Sequence, residues 1–209
     1  MSHTMHRLGD RDSLKDDFVV LAIAAHGVNA KGAASKFKNF FDIVTKYEPS
    51  NFGDMKQGNK LILEKERIKQ NFRDNSIVHG VFNNEGSVVQ VLKELKEANL
   101  GLSIVVSGII EKVNEICRKA GLKRHTVEQS LGIWGATEKL PSRETLEIIT
   151  MCGHGMISSD FVEYLVEMIA EGRMTARKAA EKMGKLCICG IFNIPRAERL
   201  LSTFRASQK

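Results

Sequence analysis

The sequence predicts a mixed fold, α+β or α/β, in which helical segments flank a small three-stranded β-α-β-α-β core. Three observations predict it. Short apolar runs alternate with amphipathic stretches between residues 76 and 140, apolar side chains recur at helical spacing on both sides of that region, and capping residues precede most of the amphipathic stretches. We therefore predict an N-terminal helical segment at residues 1–75, a small α/β domain at residues 76–140 and a C-terminal four-helix antiparallel bundle at residues 141–209.

The N-terminal segment is interpreted as three helices. Ser13 is a suitable N-cap, and Asp16 completes an approximate capping box ahead of an apolar stretch. Gly27 and Asn29 are suitable residues to end that first helix. The predicted helices carry apolar or charged faces at residues 18–25, 33–47 and 61–73, and a loop rich in Pro, Asn and Gly is expected at residues 49–58.

The middle of the chain changes from helical to strand periodicity. Gly121 follows the second amphipathic stretch and is expected to end its helix. Because strands and helices alternate, right-handed crossovers between strands are expected, although a split ferredoxin-like arrangement is equally open. Strands are predicted at residues 77–82 and 102–106 and within residues 125–134, and helices at residues 87–98 and 109–120.

The C-terminal region is predicted to form four helices joined by short connections, which favour antiparallel neighbours. Serine, threonine and asparagine residues stand at the expected N-cap positions. The helices are predicted at residues 143–150, 159–171, 176–186 and 195–206. Because the second and third helices are about equally long, the connection between the first pair and the connection between the last pair should lie at the same end.

Those two connections contain three of the four cysteines. Cys152 and His154 lie in the first connection, and Cys187 and Cys189 lie in the second. The antiparallel arrangement predicts that these four side chains meet, although more than 30 residues separate the two pairs. Cys117 stands alone in a helical stretch and is interpreted as a small core residue.

Three thiolates and one imidazole form a recurring tetrahedral zinc-ligand set, and thiolates also bind iron–sulfur clusters. We therefore predict a metal site made of Cys152, His154, Cys187 and Cys189, holding zinc or an iron–sulfur cluster. Cys152 and His154 are also the candidate catalytic residues of an enzyme or a cofactor-handling protein. Two alternatives stay open: the same residues can act as reactive groups without metal, or the cysteines can be buried near one another without a function.

The five residues Met151-Cys152-Gly153-His154-Gly155 resemble the first cysteine box of the proline racemase family. In that family the thiol is one of two opposed acid–base groups at an α-carbon. The resemblance implies that Cys152 is one acid–base group and that Cys187 or Cys189 is the other. It implies a thiol-dependent enzyme as the alternative to a metalloprotein.

A second candidate site lies where the predicted strands end. Ser107 and Gly108 precede a predicted helix, so their backbone N–H groups could bind the phosphate or carboxylate of a cofactor or small-molecule substrate. The sequence contains neither the dinucleotide glycine pattern nor a Gly-Lys-Ser/Thr loop. His26, His79 and His125 are each isolated among apolar or small residues and are interpreted as structural.

The net charge of +6 is concentrated towards the C-terminus. Residues 175–209 are rich in Lys and Arg, with Glu181 and Glu198 as their acidic residues. This segment could contact nucleic acid, with the metal as a structural zinc, or it could be a solvated helix face. The apolar runs are far shorter than the ~20 residues that a membrane span needs, and early charged residues argue against a signal peptide. A cytoplasmic protein with reduced thiols and no membrane partner is expected.

Overall fold

The computed structural model describes residues 4–204, and a five-stranded antiparallel sheet forms its centre. The order across the sheet is β3-β2-β4-β1-β5, so β1 is paired on both sides and β5 lies at an edge. The strands are β1 (Phe18–Ile23), β2 (Asn51–Asp54), β3 (Gly58–Asn59), β4 (Ile77–Phe82) and β5 (Ser103–Ser107).

Helices cover both faces of this sheet. A 3-10 turn at Thr137–Lys139 interrupts a long connection that follows the fifth helix. The α-helices are α1 (Arg11–Leu14), α2 (Ala33–Lys46), α3 (Lys65–Gln70), α4 (Glu85–Ala98), α5 (Ile110–Lys119), α6 (Arg143–Ile149), α7 (Ser159–Ala170), α8 (Ala176–Leu186) and α9 (Ile194–Thr203). None of the helices within residues 4–204 is long and apolar enough to cross a membrane.

The first face of the sheet packs against α2, α4 and α5. Alternate residues of β1, Phe18, Val20 and Ala22, belong to one buried cluster with the phenylalanines of α2. Helix α2 lies very close to β4. A Cβ atom at Gly80 would stand only 2.3 Å from Cγ1 of Val44. Glycine at this strand position therefore allows the close approach.

The opposite face packs against the C-terminal helices. Val19 of β1 and Val81 of β4 share a buried cluster with side chains of α6 to α9 and of their connections. The four predicted C-terminal helices are present, with ends within a few residues of the expected ones. They do not form a self-contained bundle, because their apolar faces share a core with the sheet.

The predicted helix at residues 18–25 is wrong, because Phe18–Ile23 is a central strand. Both faces of β1 are covered, so its apolar residues form a continuous run and lack the alternation that marks a half-exposed strand. The predicted loop at residues 49–58 contains β2 and the first residue of β3. The core consequently has five antiparallel strands in place of three strands joined by crossovers.

Two further predictions need correction. Residues 125–134 form no strand and are exposed, and the helix predicted at residues 61–73 is confined to Lys65–Gln70. The helices predicted at residues 33–47, 87–98 and 109–120 are confirmed as α2, α4 and α5, and the strands predicted at residues 77–82 and 102–106 are confirmed as β4 and β5. The division of the chain into three domains stays a prediction.

A buried ionic network joins the N-terminal segment to the C-terminal helices. Asp17 has no exposed side-chain surface and accepts from Arg196 Nη1 at 3.0 Å and from Asn193 Nδ2 at 2.9 Å. Arg7 also donates to Asp17 and to the carbonyl of Ile191. Burial by itself raises the pKa of Asp17, but the charges of Arg7 and Arg196 outweigh it and lower that pKa below its usual value.

Because its folded-state pKa is lowered, Asp17 contributes stability that is fully present above its unfolded-state pKa of about 3.9. This contribution is lost as the pH falls through the lower folded-state pKa. We expect the difference in unfolding free energy between the wild type and an Asp17→Asn variant to be constant from pH 7 to about pH 5 and to shrink below about pH 4. Urea unfolding at several pH values measures it. A difference that grows on acidification would contradict this assignment.

Candidate metal centre

Cys152 lies in a tight turn that directly follows α6. The N–H of Cys152 donates to the carbonyl of Ile149 at 3.0 Å, and the N–H of Gly155 donates to the carbonyl of Cys152 at 3.0 Å. Gly155 has φ +65°, which allows the chain to reverse. Ser158 then caps α7 by accepting from the N–H of Phe161. The turn therefore holds the Cys152 side chain against the core and leaves His154 exposed.

Cys187 and Cys189 lie in the connection between α8 and α9. Cys187 is the C-cap of α8, and its carbonyl accepts from the N–H of Gly190 at 2.8 Å. Asn193 caps α9 and also donates to Asp17, so the ionic network fixes the far end of this connection. Both sulfur atoms consequently face inward from a loop that is held at its two ends.

The structure brings the four predicted residues together. Sγ of Cys187 lies 3.6 Å from Sγ of Cys189, and Cys187 also shares a hydrogen bond with Cys152. Cys189 in turn shares a hydrogen bond with His154. Cys152, Cys187 and Cys189 are 3%, 0% and 3% exposed, whereas His154 faces solvent. A group with three buried thiols and one exposed imidazole is thus assembled from two distant loops.

The sheet places two further residues, Asn59 and His79, against the connection that carries Cys187 and Cys189. Asn59 of β3 donates from Nδ2 to the carbonyls of Cys187 and Ile188, at 3.2 and 3.1 Å. His79 of β4 is fully buried, and a Cβ atom at Gly190 would stand 3.1 Å from its Nε2. No sequence signal linked these residues to the cysteines, because their contact depends on strand order.

The backbone of Gly190 allows the cysteine loop to approach β3. Gly190 has φ +77°, and a Cβ atom there would stand 2.4 Å from Cβ of Asn59. We expect Gly190→Ala to lower the unfolding free energy by about 2–4 kcal/mol, because it adds a clash to the cost of a left-handed backbone. Gly155→Ala is the matched control, since Gly155 has φ +65° with nothing within 4 Å of the added Cβ. Equal losses in urea unfolding would show that the contact with Asn59 is unimportant.

Cys187 contacts both other cysteines, and its single S–H hydrogen can be donated to one of them at a time. A hydrogen bond donated by Cys187 lowers the pKa of the cysteine that accepts it, to about 6 for Cys152 or for Cys189. The hydrogen bonds that Cys187 makes to its two neighbours, together with its burial, raise the pKa of Cys187. The thiol group therefore gives thiolate character near neutral pH to Cys152 or to Cys189, whichever accepts the hydrogen bond.

The sulfur–sulfur distance is close to that of two ligands on one metal ion. With metal–sulfur bonds of about 2.3 Å, two thiolates at tetrahedral positions stand ~3.8 Å apart. The observed 3.6 Å needs only small side-chain rotations to reach that value. Within residues 4–204, however, no three His, Cys, Asp or Glu side chains already adopt a metal-holding arrangement.

Ser107 and Gly108 lie far from the cysteines. Ser107 is the last residue of β5, at one edge of the sheet, and Gly108 follows it, whereas Asn59, which contacts the cysteine loop, lies on β3 at the other edge. Four inter-strand spacings amount to ~19 Å, so these residues do not belong to the same site. Ser107 Oγ donates to Thr4 Oγ1 at 2.7 Å, and both Ser107 and Gly108 line a separate cavity.

The basic C-terminal segment presents less free charge than its sequence indicates. Arg196 is fully buried and paired with Asp17, and Arg177 forms ion pairs with Glu181 and Glu198. Residues 205–209 lie outside the described part of the chain. A nucleic-acid partner stays a prediction.

Comparison with known protein families, with curated proteins and with solved structures gives no match for this chain.

Proposed function

We propose that this protein is a metalloprotein in which Cys152, His154, Cys187 and Cys189 bind one metal ion. The observation that carries the proposal is the convergence of three thiols and one imidazole from two loops, with Cys187 and Cys189 already 3.6 Å apart. Metal binding requires the thiols to lose their protons, and a divalent cation would stabilise the negative charge of the resulting thiolates.

Zinc is the metal that fits best. A set of three thiolates and one imidazole is a common zinc-ligand set, and the short Cys187–Cys189 distance favours two ligands on one ion. Two thiolates on one iron of a two-iron cluster would stand about equally close, so the composition of the ligand set is what favours zinc. An iron–sulfur cluster is therefore the second candidate for the same residues.

The proposed centre is open to solvent on the side of His154. Residues 153–156 are exposed, whereas the three thiols are buried. His154 is the proposed exchangeable ligand, because its loop contributes little packing and glycines flank it. A small-molecule substrate or a partner could thus reach the metal at the position that His154 leaves, as at catalytic zinc sites.

Elemental analysis of anaerobically purified protein, combined with its absorption spectrum, tests the proposal. We expect about one zinc per chain and no visible charge-transfer band. Iron with acid-labile sulfide and a visible band would replace zinc by an iron–sulfur cluster at the same residues. If the protein holds no metal and takes up neither zinc nor iron with sulfide on reconstitution, the proposal is wrong.

A thiol-dependent enzyme is the second candidate function. The contacts that favour it are the hydrogen bonds that join Cys152 to Cys187 and Cys187 to Cys189. With no metal bound, Cys152 would serve as an acid–base group or nucleophile, and Cys187 or Cys189 would be the second acid–base group. Iodoacetamide labelling of zinc-free protein near pH 7, followed by peptide mass spectrometry, separates the two candidate functions. A thiol enzyme predicts that Cys152 is labelled fast and that added zinc does not slow the labelling.

A further inference from the structure

A cavity of about 810 Å³ lies along the outer edge of β5, and neither Cys152, Cys187 nor Cys189 lines it. It extends from the N-terminal segment at Met5, past β5 and α5, to the connection at residues 122–130. The volume is within the range of about 300–1,000 Å³ that small-molecule sites occupy. Nothing in the proposed metal chemistry uses this cavity.

The walls of the cavity are apolar. Ile104 and Val106 of the edge strand β5 and Val113 of α5 line it and are half-buried. The residues of β1 that pair with the two strand residues, Ala22 and Val20, are fully buried, because β1 has a neighbouring strand on each side. The half-exposure of these side chains therefore marks apolar surface that an occupant can bury.

The mouth of the cavity is cationic. Lys96, Lys123 and Arg124 line it and are exposed, and Glu128 is the exposed acidic residue that lines it with them. Burial raises the pKa of Cys117 inside the cavity, and the charge of Arg124 acts against that rise, which shows that the guanidinium lies near the thiol. An anion at this mouth would meet an excess of positive charge.

The floor of the cavity carries a polar group as well. The side chain of Arg7 lines the cavity and is 7% exposed. Its terminal nitrogens are engaged by Asp17 and by the carbonyl of Ile191, but its Nε has no hydrogen-bond partner within the described residues. A buried donor without an acceptor is costly, and a polar atom of a ligand could satisfy it.

We propose that this cavity binds a small organic anion with an apolar body, such as a medium-chain carboxylate. The apolar body packs against Ile104, Val106 and Val113, and the carboxylate pairs with Lys123 and Arg124. Binding buries the apolar walls and places one negative charge among the cations of the mouth.

Isothermal titration calorimetry with decanoate, kept below its micelle concentration, tests the proposal. We expect saturable binding of decanoate and at least about tenfold weaker binding of decyltrimethylammonium, which has the same tail and the opposite charge. Equal affinity for both, or no saturable binding of decanoate, would overturn the proposal.

Two variants with matched controls test the location. Val113→Phe fills the cavity and is expected to weaken decanoate binding by about tenfold or more, whereas Val28→Phe, on an exposed loop, should leave it unchanged. A Lys123→Gln/Arg124→Gln variant should weaken binding similarly, and the control is Lys178→Gln/Lys182→Gln on α8, which removes the same charge. Losses of equal size in the variants and their controls would place the anion elsewhere.

Two native side chains give readouts that do not depend on any variant. Decanoate should protect Cys117 from N-ethylmaleimide, because that thiol lines the cavity. Trp134, the only tryptophan, is 82% exposed and lies in the same long connection. If decanoate does not protect Cys117, the proposal is wrong. A blue shift of Trp134 fluorescence that depends on protein concentration alone would then show that a second copy of this chain covers the cavity.

Discussion

Replacing Cys187 by Ser is expected to weaken zinc binding by more than about 100-fold. Cys187 contacts both Cys152 and Cys189, so its sulfur occupies the middle of the proposed ligand set. Changes in residues that only support metal ligands already cost about 10–100-fold in affinity, and loss of a ligand should cost more. Competition with a chromophoric zinc chelator measures the affinity, and elemental analysis measures the zinc that the variant retains.

Cys117→Ser is the matched control for that variant. Cys117 lies on α5, is half-buried and is absent from the thiol group, so the same chemical change is made outside the proposed centre. Its zinc affinity should equal that of the wild type. Equal affinities in Cys187→Ser and Cys117→Ser would show that the thiol group does not bind the metal.

The Asp17→Asn substitution is expected to lower the free energy of unfolding by about 3–5 kcal/mol. Asp17 neutralises both Arg7 and Arg196, and its removal leaves buried positive charge without adequate compensation. Glu147 lies 3.7 Å from Arg196 and compensates part of that charge, which places the expected loss below the sum of two broken ion pairs. Urea unfolding monitored by circular dichroism measures the change.

Asp12→Asn is the control for this prediction. Asp12 forms an ion pair with Lys15 on the protein surface, and its side chain is 89% exposed. Exposed pairs contribute little, so its unfolding free energy should stay within about 1 kcal/mol of the wild type. A loss of similar size in both variants would mean that the network is not a principal support of the fold.

The C-terminal helices and their connections could be predicted from sequence because the signals are local. Ser142, Ser158, Thr175 and Asn193 stand directly before helices and accept from their first N–H groups. Short connections between helices of similar length then placed the cysteines of two loops at one end. That placement needed no knowledge of the sheet.

Strands β4 and β5 could be predicted from their apolar runs, but β1, β2, β3 and the order of the strands could not, because those features depend on tertiary pairing. The run at Phe18–Ile23 is buried on both faces, which removes the alternation that distinguishes a strand from a buried helix. Strands β2 and β3 are too short for a strand periodicity to be recognised among the turn residues that surround them. The roles of Asn59 and His79 were missed for the same reason, since they meet the cysteine loop only through strand order.

X-ray absorption spectroscopy at the zinc edge, on protein loaded with one equivalent of zinc, tests the central claim most directly. The metalloprotein account predicts three sulfur atoms at about 2.3 Å and one nitrogen atom at about 2.0 Å. A Cys187→Ser sample should lose one sulfur from that shell. A shell of oxygen and nitrogen without sulfur would contradict the account, because the zinc would then be bound elsewhere on the chain.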